Sequence, residues 1–404
     1  MWELTDLPAA QREGLPASLP HAVLLGLCGR GGAEARGMSA APLPADQAAV
    51  FAEVDAGQAR LSDILQGAVA GGHMDAVLLR ARNSRERLAG ILARGVVTIC
   101  GGVLPRAQIA AELGVARVSI ISFDDWVAGR ARCDLLLVNH HAFFQRAECM
   151  GALARAAAEP GFVSAIQFRD HHHLYRRNLE LAALADFVFP GHPYKHEYLR
   201  AANMNILAVI PMCVGQWPDA MMVRLFRENA EANRSDALYG GYGFYPRYRA
   251  RTAFIDVIGR DIPGSRVVQW RPGMEGSYLS LSQEDRFRDW LGHKVSAVVN
   301  TDFCIPNRIF DALAAGQIPL VPHGLSHLET VIPAEHQRDL PVLRYSDFDI
   351  ASLRDAYARA LAAYDREGAA GAARRHGYAL RFHTLADRAQ RMLRELRRVA
   401  DQAG

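Results

Sequence analysis

The chain has 404 residues, more than one ordinary core accommodates and enough for two domains. Half of the residues are hydrophobic and 22% are charged, the balance of a globular enzyme rather than of a disordered or fibrous chain. The formal net charge is only +3, so global charge gives no argument for nucleic acid as a partner.

The first twenty residues, MWELTDLPAAQREGLPASLP, carry neither the basic start nor the apolar stretch of a signal peptide. No run of eighteen apolar residues follows, so no membrane span is expected and the expectation is a cytoplasmic protein. Cys28, Cys100, Cys133, Cys149, Cys213 and Cys304 form no CxxC pair, and they read as buried thiols of a reducing compartment rather than as a zinc knuckle. Lysine stands at only two positions, Lys195 and Lys294, which reads as the codon bias of a GC-rich bacterial genome and not as chemistry.

Short apolar runs alternate with helix-like segments. The first series of strands is expected at 22–27, 75–80, 96–100, 117–122, 134–139, 163–168, 186–190 and 206–211. Helices are expected at 45–66, 83–93, 105–113, 143–157 and 174–184. Residues 212–234 interrupt the alternation. A second series follows, with strands at 236–240, 265–270, 294–300, 317–322 and 340–345 and helices at 247–261, 282–291, 307–315 and 351–364. Nearly continuous apolar strands alternating with helices imply parallel sheets covered on both faces. The expected fold is therefore α/β, with two Rossmann-like doubly wound domains facing a cleft. The tail, 370–400, reads as one or two basic helices with Arg388, Arg391, Arg394, Arg397 and Arg398, either a solvated face or a peripheral contact with a membrane or partner.

In open α/β sheets ligands sit beyond the carboxyl ends of the strands, so residues that follow strands are the informative ones. After the first strand, LCGRGG places Gly29 and Gly31 where backbone can approach an acceptor or a phosphate. After 134–139 come His140 and His141, and after 163–168 comes FRDHHHLYRRN with Asp170, His171, His172 and His173. Adjacent histidines diverge around a regular element, so one metal ion is a poor occupant and no metal site is expected. Asp170 reads either as a helix cap or, with His171, as a group for proton transfer near neutral pH.

The second series opens with ALYGGYGFYPRYRART. Gly240, Gly241, Tyr242 and Gly243 close a strand, and a helix starts near Arg247. A glycine turn at a helix N-terminus favours phosphate, with Arg247, Arg249 or Arg251 adding charge, although GxxxxGK[ST] is absent. Further on, SAVVNTDFCIPNRIFDALAAGQIPLVPHG sets Asn307, Arg308 and Asp311 at the start of a short helix between two apolar strands. Asn307 and Asp311 share a helix face, and Arg308 lies about 100° around from Asn307. Asp311 reads either as a first-turn partner of the helix dipole or as an acceptor for a vicinal diol, which one carboxylate can bind through both oxygens.

The segment PNRIFDALAAGQIPLVP resembles the donor-site helix of the GT-B glycosyltransferases, in particular the group-1 and spore-maturation-protein-like branches. Asn307, Arg308, Phe310, Ala312, Ala314 and Gly316 fit that pattern, and Asp311 stands where those families usually carry Glu. ADFVFPGHPYKHEYLRAANM also looks like the strand and helix that close the first domain of such enzymes. The resemblance implies an acceptor-side domain over 1–211, a linker over 212–235, a nucleotide-sugar-binding domain over 236–375, and a final helix over 376–404 returning to the first domain. It implies transfer of a sugar from a nucleotide-sugar donor without metal or other cofactor, as a hexosyltransferase-like enzyme. Gly240, Gly241, Tyr242, Arg247, Asn307, Arg308 and Asp311 would serve the donor, with Gly29, Gly31 and His140 on the acceptor side. The acceptor class stays open among glycan, lipid, protein and small molecule. A nucleotide-sugar epimerase and a non-catalytic nucleotide- or sugar-binding module are the alternatives.

Overall fold

The computed structural model describes residues 73–101, 103–144, 146–169, 175–193, 196–230, 232–243, 249–270, 281–300, 305–325 and 327–403. The expected strand at 22–27, the helix at 45–66, and Gly29, Gly31, Asp170, His171 and Arg247 lie outside them. The described residues fall into two compact units. Unit one runs to Pro211 and takes up the chain again from Arg388; unit two is Met212–Asp387.

Unit one contains α1 (His73–Ala93), β1 (Val96–Cys100), α2 (Arg106–Leu113), β2 (Arg117–Ile121), α3 (Phe123–Val127), β3 (Leu135–Asn139), α4 (His141–Phe144), α5 (Ala147–Ala156), β4 (Val163–Phe168), α6 (Tyr175–Leu184) and β5 (Phe187–Pro190). Unit two contains α7 (Asp219–Glu228), β6 (Tyr239–Gly243), α8 (Arg249–Asp261), β7 (Arg266–Trp270), α9 (Gln283–Leu291), β8 (Val295–Ala297), α10 (Asn307–Ala314), β9 (Ile318–Pro322), α11 (Ala334–Asp339), β10 (Leu343–Tyr345) and α12 (Ile350–Phe382). The last helix, α13 (Leu385–Asp401), belongs to unit one from Arg388 onward.

The first sheet has the order β2-β1-β3-β4-β5 and the second β7-β6-β8-β9-β10, and every pairing is parallel. Counted within each unit, both orders are 2-1-3-4-5, a doubly wound arrangement that reverses between its first and third strands. The fold is thus α/β with two Rossmann-like units. Every residue of β4 and of β9 is buried, as expected of strands covered on both faces. Cys100, Cys133, Cys149 and Cys213 are free and buried.

Four expectations are corrected. Residues 75–80 are helix, because Val77, Ala81, Leu88, Ile91 and Leu92 are buried at helical spacing while Leu78 and Leu79 are 49% and 59% exposed. Residues 206–211 run beside β5 with one parallel bridge, Val188 to Ile206, and do not form a strand. The helix expected at 351–364 extends to Phe382 through a kink at Gly368, whose φ of 58° and ψ of −152° only glycine adopts freely. The strand expected at 236–240 is shifted to Tyr239–Gly243, so the glycines are its body and not a turn beyond it.

The basic tail is engaged with its own chain. Arg388 is buried and donates to the Pro211 carbonyl at 2.8 Å, Arg394 pairs with Glu112 at 2.8 Å, and Arg397 donates to the Leu113 carbonyl at 2.9 Å. Among the described residues no helix is long and apolar enough to cross a membrane.

Candidate functional site

In unit two the sheet order reverses between β6 and β8, and the candidate site gathers at their carboxyl ends. Tyr242 fills the gap there. Its ring lies over Gly240, where a Cβ would come within 2.8 Å of it, so that glycine makes room for a side chain of the same strand rather than for a ligand. The Tyr242 hydroxyl donates to the Ala297 carbonyl at 2.5 Å and accepts from the Val299 amide at 3.1 Å. Tyr242 is therefore a buried brace between β6 and the end of β8, not a surface for the donor. Tyr345 adds a second brace by donating to the Val298 carbonyl at 2.7 Å.

Two guanidinium groups flank the Tyr242 ring, Arg308 at 4.4 Å and Arg251 at 5.1 Å from its centroid. Arg308 is also fixed by donating from Nε to the Gly241 carbonyl at 2.8 Å. The sequence left its direction undetermined; the structure turns it onto β6, so Gly241, Tyr242 and Arg308 form one group.

Arg308 rides on α10, whose two ends differ. At the C-terminal end Arg234 donates to the Ala315 carbonyl at 2.6 Å and Arg375 to the Gly316 carbonyl at 2.9 Å, with His376 Nδ1 2.5 Å from the Ala314 carbonyl oxygen. Basic side chains on these last carbonyls complement the helix dipole and fix the helix. At the other end Pro306 occupies the cap position, and its side chain makes no cap hydrogen bond. Among the described residues no side-chain acceptor is seen on the first amides of α10, an arrangement that suits an anion. Asn307 is half-buried beside them, and its Oδ1 has no hydrogen-bond partner among the described residues.

Asp311 departs most from its expected setting. It is the fifth residue of α10, outside the first turn, so it is not the dipole partner that one reading made it. It is also enclosed rather than set on an open rim, because α10 buries Ile309 to Ala314 without interruption against its own unit. Oδ2 accepts from Gln216 Nε2 at 2.7 Å, while Oδ1 has no partner among the described residues. Burial pushes the carboxyl up to about 7 from its ordinary 3.8, against the smaller opposing pulls of the Gln216 hydrogen bond and the Arg308 charge.

Gln216 is the residue that sequence reasoning missed. It lies in the stretch that reads only as an interruption, and its partner is 95 positions away. Arg234, Arg375 and His376 were missed for the same reason: nothing local ties them to the end of α10.

Unit one carries different chemistry at its own reversal, between β1 and β3. His140 is wholly buried, its amide donating to the Gln167 carbonyl at 2.9 Å, and its ring lies 4.4 Å from His141 and 5.7 Å from Phe168. Asn139 Oδ1 accepts from the His141 amide at 3.0 Å. His140 therefore stands at the carboxyl end of a strand, within a cluster of rings. Among the described residues no group of three His, Cys, Asp or Glu side chains could hold a metal ion.

No family model matches the chain, and no curated protein matches it. Among solved structures it is similar to a sucrose-phosphate synthase from Thermosynechococcus elongatus, at 15% identity and a TM-score of 0.43, over 68% of this chain and 79% of that one. That similarity is too slight to add to the geometry.

Proposed function

We propose that the protein transfers a glycosyl group from a nucleotide-sugar donor to an acceptor, with the donor held at the reversal point of the unit-two sheet. The observation that carries this reading is the grouping on α10: an N-terminus at Pro306 with no side-chain cap among the described residues, the fixed guanidinium of Arg308, and a buried carboxyl with one oxygen unpartnered among those residues. The first two suit the diphosphate of a donor and its developing charge as the sugar leaves. The third suits a ribose diol, whose two hydroxyls would use both carboxyl oxygens, the bare Oδ1 among them. With cationic groups and helix amides on the leaving diphosphate, the reaction needs no metal.

For proton transfer we assign the carboxyl ends of β3 and β4 in unit one, where His140 follows β3 and Asp170 and His171 follow β4 in sequence. The enzyme would act in the cytoplasm.

The test is calorimetric binding of UDP, GDP, CDP, ADP and dTDP, followed by turnover of the corresponding sugars with and without a chelator. One nucleoside diphosphate should bind, and Arg308→Ala should weaken it by about ten- to a hundredfold, the loss of a charge-assisted hydrogen bond of about 1.5–3 kcal/mol. Activity should survive the chelator. Interconversion of the donor sugar without release of nucleotide would make the protein an epimerase, and binding without any turnover would make it a binding module. No binding by any of the five would remove the donor site.

A further inference from the structure

Gln216 occupies the oxygen that a ribose diol would need. A vicinal diol seated on a carboxylate uses two donors, and in this structure one acceptor, Oδ2 of Asp311, already receives the Gln216 amide at 2.7 Å. The other, Oδ1, has no partner among the described residues and is sealed from solvent. The carboxyl is half-satisfied by the protein itself.

The backbone that carries Gln216 is held from both sides. Two residues earlier, the Val214 amide donates to the His383 carbonyl at 2.8 Å, and Val214 forms a parallel bridge with Thr384. One residue later, Trp217 is buried with its ring 4.9 Å from that of Phe287. Backbone held on both sides means that any exchange at Asp311 must be made by the Gln216 side chain. These anchors lie just after the chain enters unit two at Met212 and just before it leaves at Asp387.

We propose that Gln216 is an internal competitor of the donor ribose at Asp311, an affinity-setting residue that must release the carboxyl before the diol can bind. The inference rests on the donor reading above and adds to it a residue whose removal strengthens binding. A ligand that binds only the released state sees an apparent affinity reduced by the fraction of molecules in that state. A hydrogen bond to a carboxylate biases that fraction by about tenfold or more. The ribose hydroxyls then take over the acceptor that the amide vacates, so the exchange leaves no buried oxygen worse satisfied than before.

The experiment measures binding of UDP, GDP, CDP and ADP, each beside its 2′,3′-dideoxy analogue, to the wild-type chain, Gln216→Ala and Gln216→Asn, with melting temperatures recorded for all three. Asn keeps the amide but is one methylene shorter, so it guards against a fold that fails with Ala. Both variants should bind the recognised ribonucleoside diphosphate more tightly, Ala by about tenfold and Asn by less, with no gain for the dideoxy form. An equal gain for both forms would mean general loosening and would overturn the proposal. So would unchanged or weaker binding of the ribose form by folded variants; if Arg308→Ala still weakened binding, the donor reading would stand without the competitor. Failure of every nucleotide to bind wild type and variants would overturn both.

Discussion

Asp186 in unit one and Asp311 in unit two are both buried carboxyls, 2% and 0% exposed, each tied to a sheet with the same 2-1-3-4-5 order. Around Asp186 the protein has supplied every partner. It accepts from the Ser84 hydroxyl at 2.6 Å, from Arg87, from the Ser164 amide at 2.9 Å and from the Ser164 hydroxyl at 3.2 Å. Among the described residues Asp311 has one hydrogen-bond partner, a neutral amide, and one oxygen without any. The first acid stitches α1 to β4 and β5 and has nothing left to offer a ligand. The second is kept incomplete at a place where the sheet reverses. Identical topology therefore says little about which unit binds what; the difference lies in how far a buried polar group is satisfied.

The largest expected effect breaks the first half of that contrast. Asp186→Ala leaves the Arg87 guanidinium, the Ser84 and Ser164 hydroxyls and the Ser164 amide without their acceptor. Removing one partner of a buried ion pair costs about 3–5 kcal/mol. Urea unfolding should show that loss, while affinity for the recognised nucleoside diphosphate stays unchanged in the fraction that remains folded. A small loss of stability with a large loss of affinity would reverse the roles assigned to the two aspartates.

How much of this was readable beforehand follows from the range of the interactions. Most strands lie in apolar runs, and β1, β2, β3, β4, β5, β7 and β9 were legible from those runs to within a residue. The run at 75–80 misled because four apolar residues in a row look like a strand until the helical spacing out to Leu92 is followed. Gly240 to Gly243 misled differently: glycines are weak in strands, but here one of them admits the ring of Tyr242. Asn307, Arg308 and Asp311 were legible as a group because they follow a strand. The burial of Asp311 and its bond to Gln216 were not, since both depend on a contact 95 residues apart.

The next effect isolates the incomplete acid through pH. The folded carboxyl of Asp311 is pushed up to about 7 from 3.8, so between those values the folded state holds a proton that the unfolded state has lost. Stability contributed by this group is then present at low pH and falls as pH rises through that window, down to a full penalty above about pH 7. The span corresponds to roughly 4 kcal/mol at its upper end. Asp311→Asn removes the titration. Whatever fixed cost the new amide brings, the variant should gain stability relative to wild type on going from pH 4 to pH 8. Denaturant midpoints at the two pH values measure this, and a difference that does not change with pH would mean that the acid is not desolvated as the structure places it.

The smallest effect sharpens the contrast at the reversal points themselves. In unit two the carboxyl end of β8 is held by tyrosine hydroxyls, Tyr242 on Ala297 and Val299 and Tyr345 on Val298. In unit one the end of β3 is held by the His140 amide on the Gln167 carbonyl and by the Asn139 side chain on the His141 amide. Tyr345→Phe keeps the ring and removes only the donor to the Val298 carbonyl. A buried acceptor left without its donor costs about 1–3 kcal/mol. Because Val298 and Val299 immediately follow β8 at the candidate site, the variant should also weaken nucleotide binding severalfold by loosening the frame that fixes Tyr242 and, through its ring, Arg308. Asn139→Ala serves as the counterpart in unit one, where a side-chain hydrogen bond from the His141 amide, worth about 1 kcal/mol, is lost and no donor-holding residue is assigned. Calorimetry on the pair decides the matter: both variants should lower the melting temperature, and only Tyr345→Phe should lower affinity. Equal effects on affinity would mean that the braces of unit two serve the fold in the same way as those of unit one and play no part in holding the donor site.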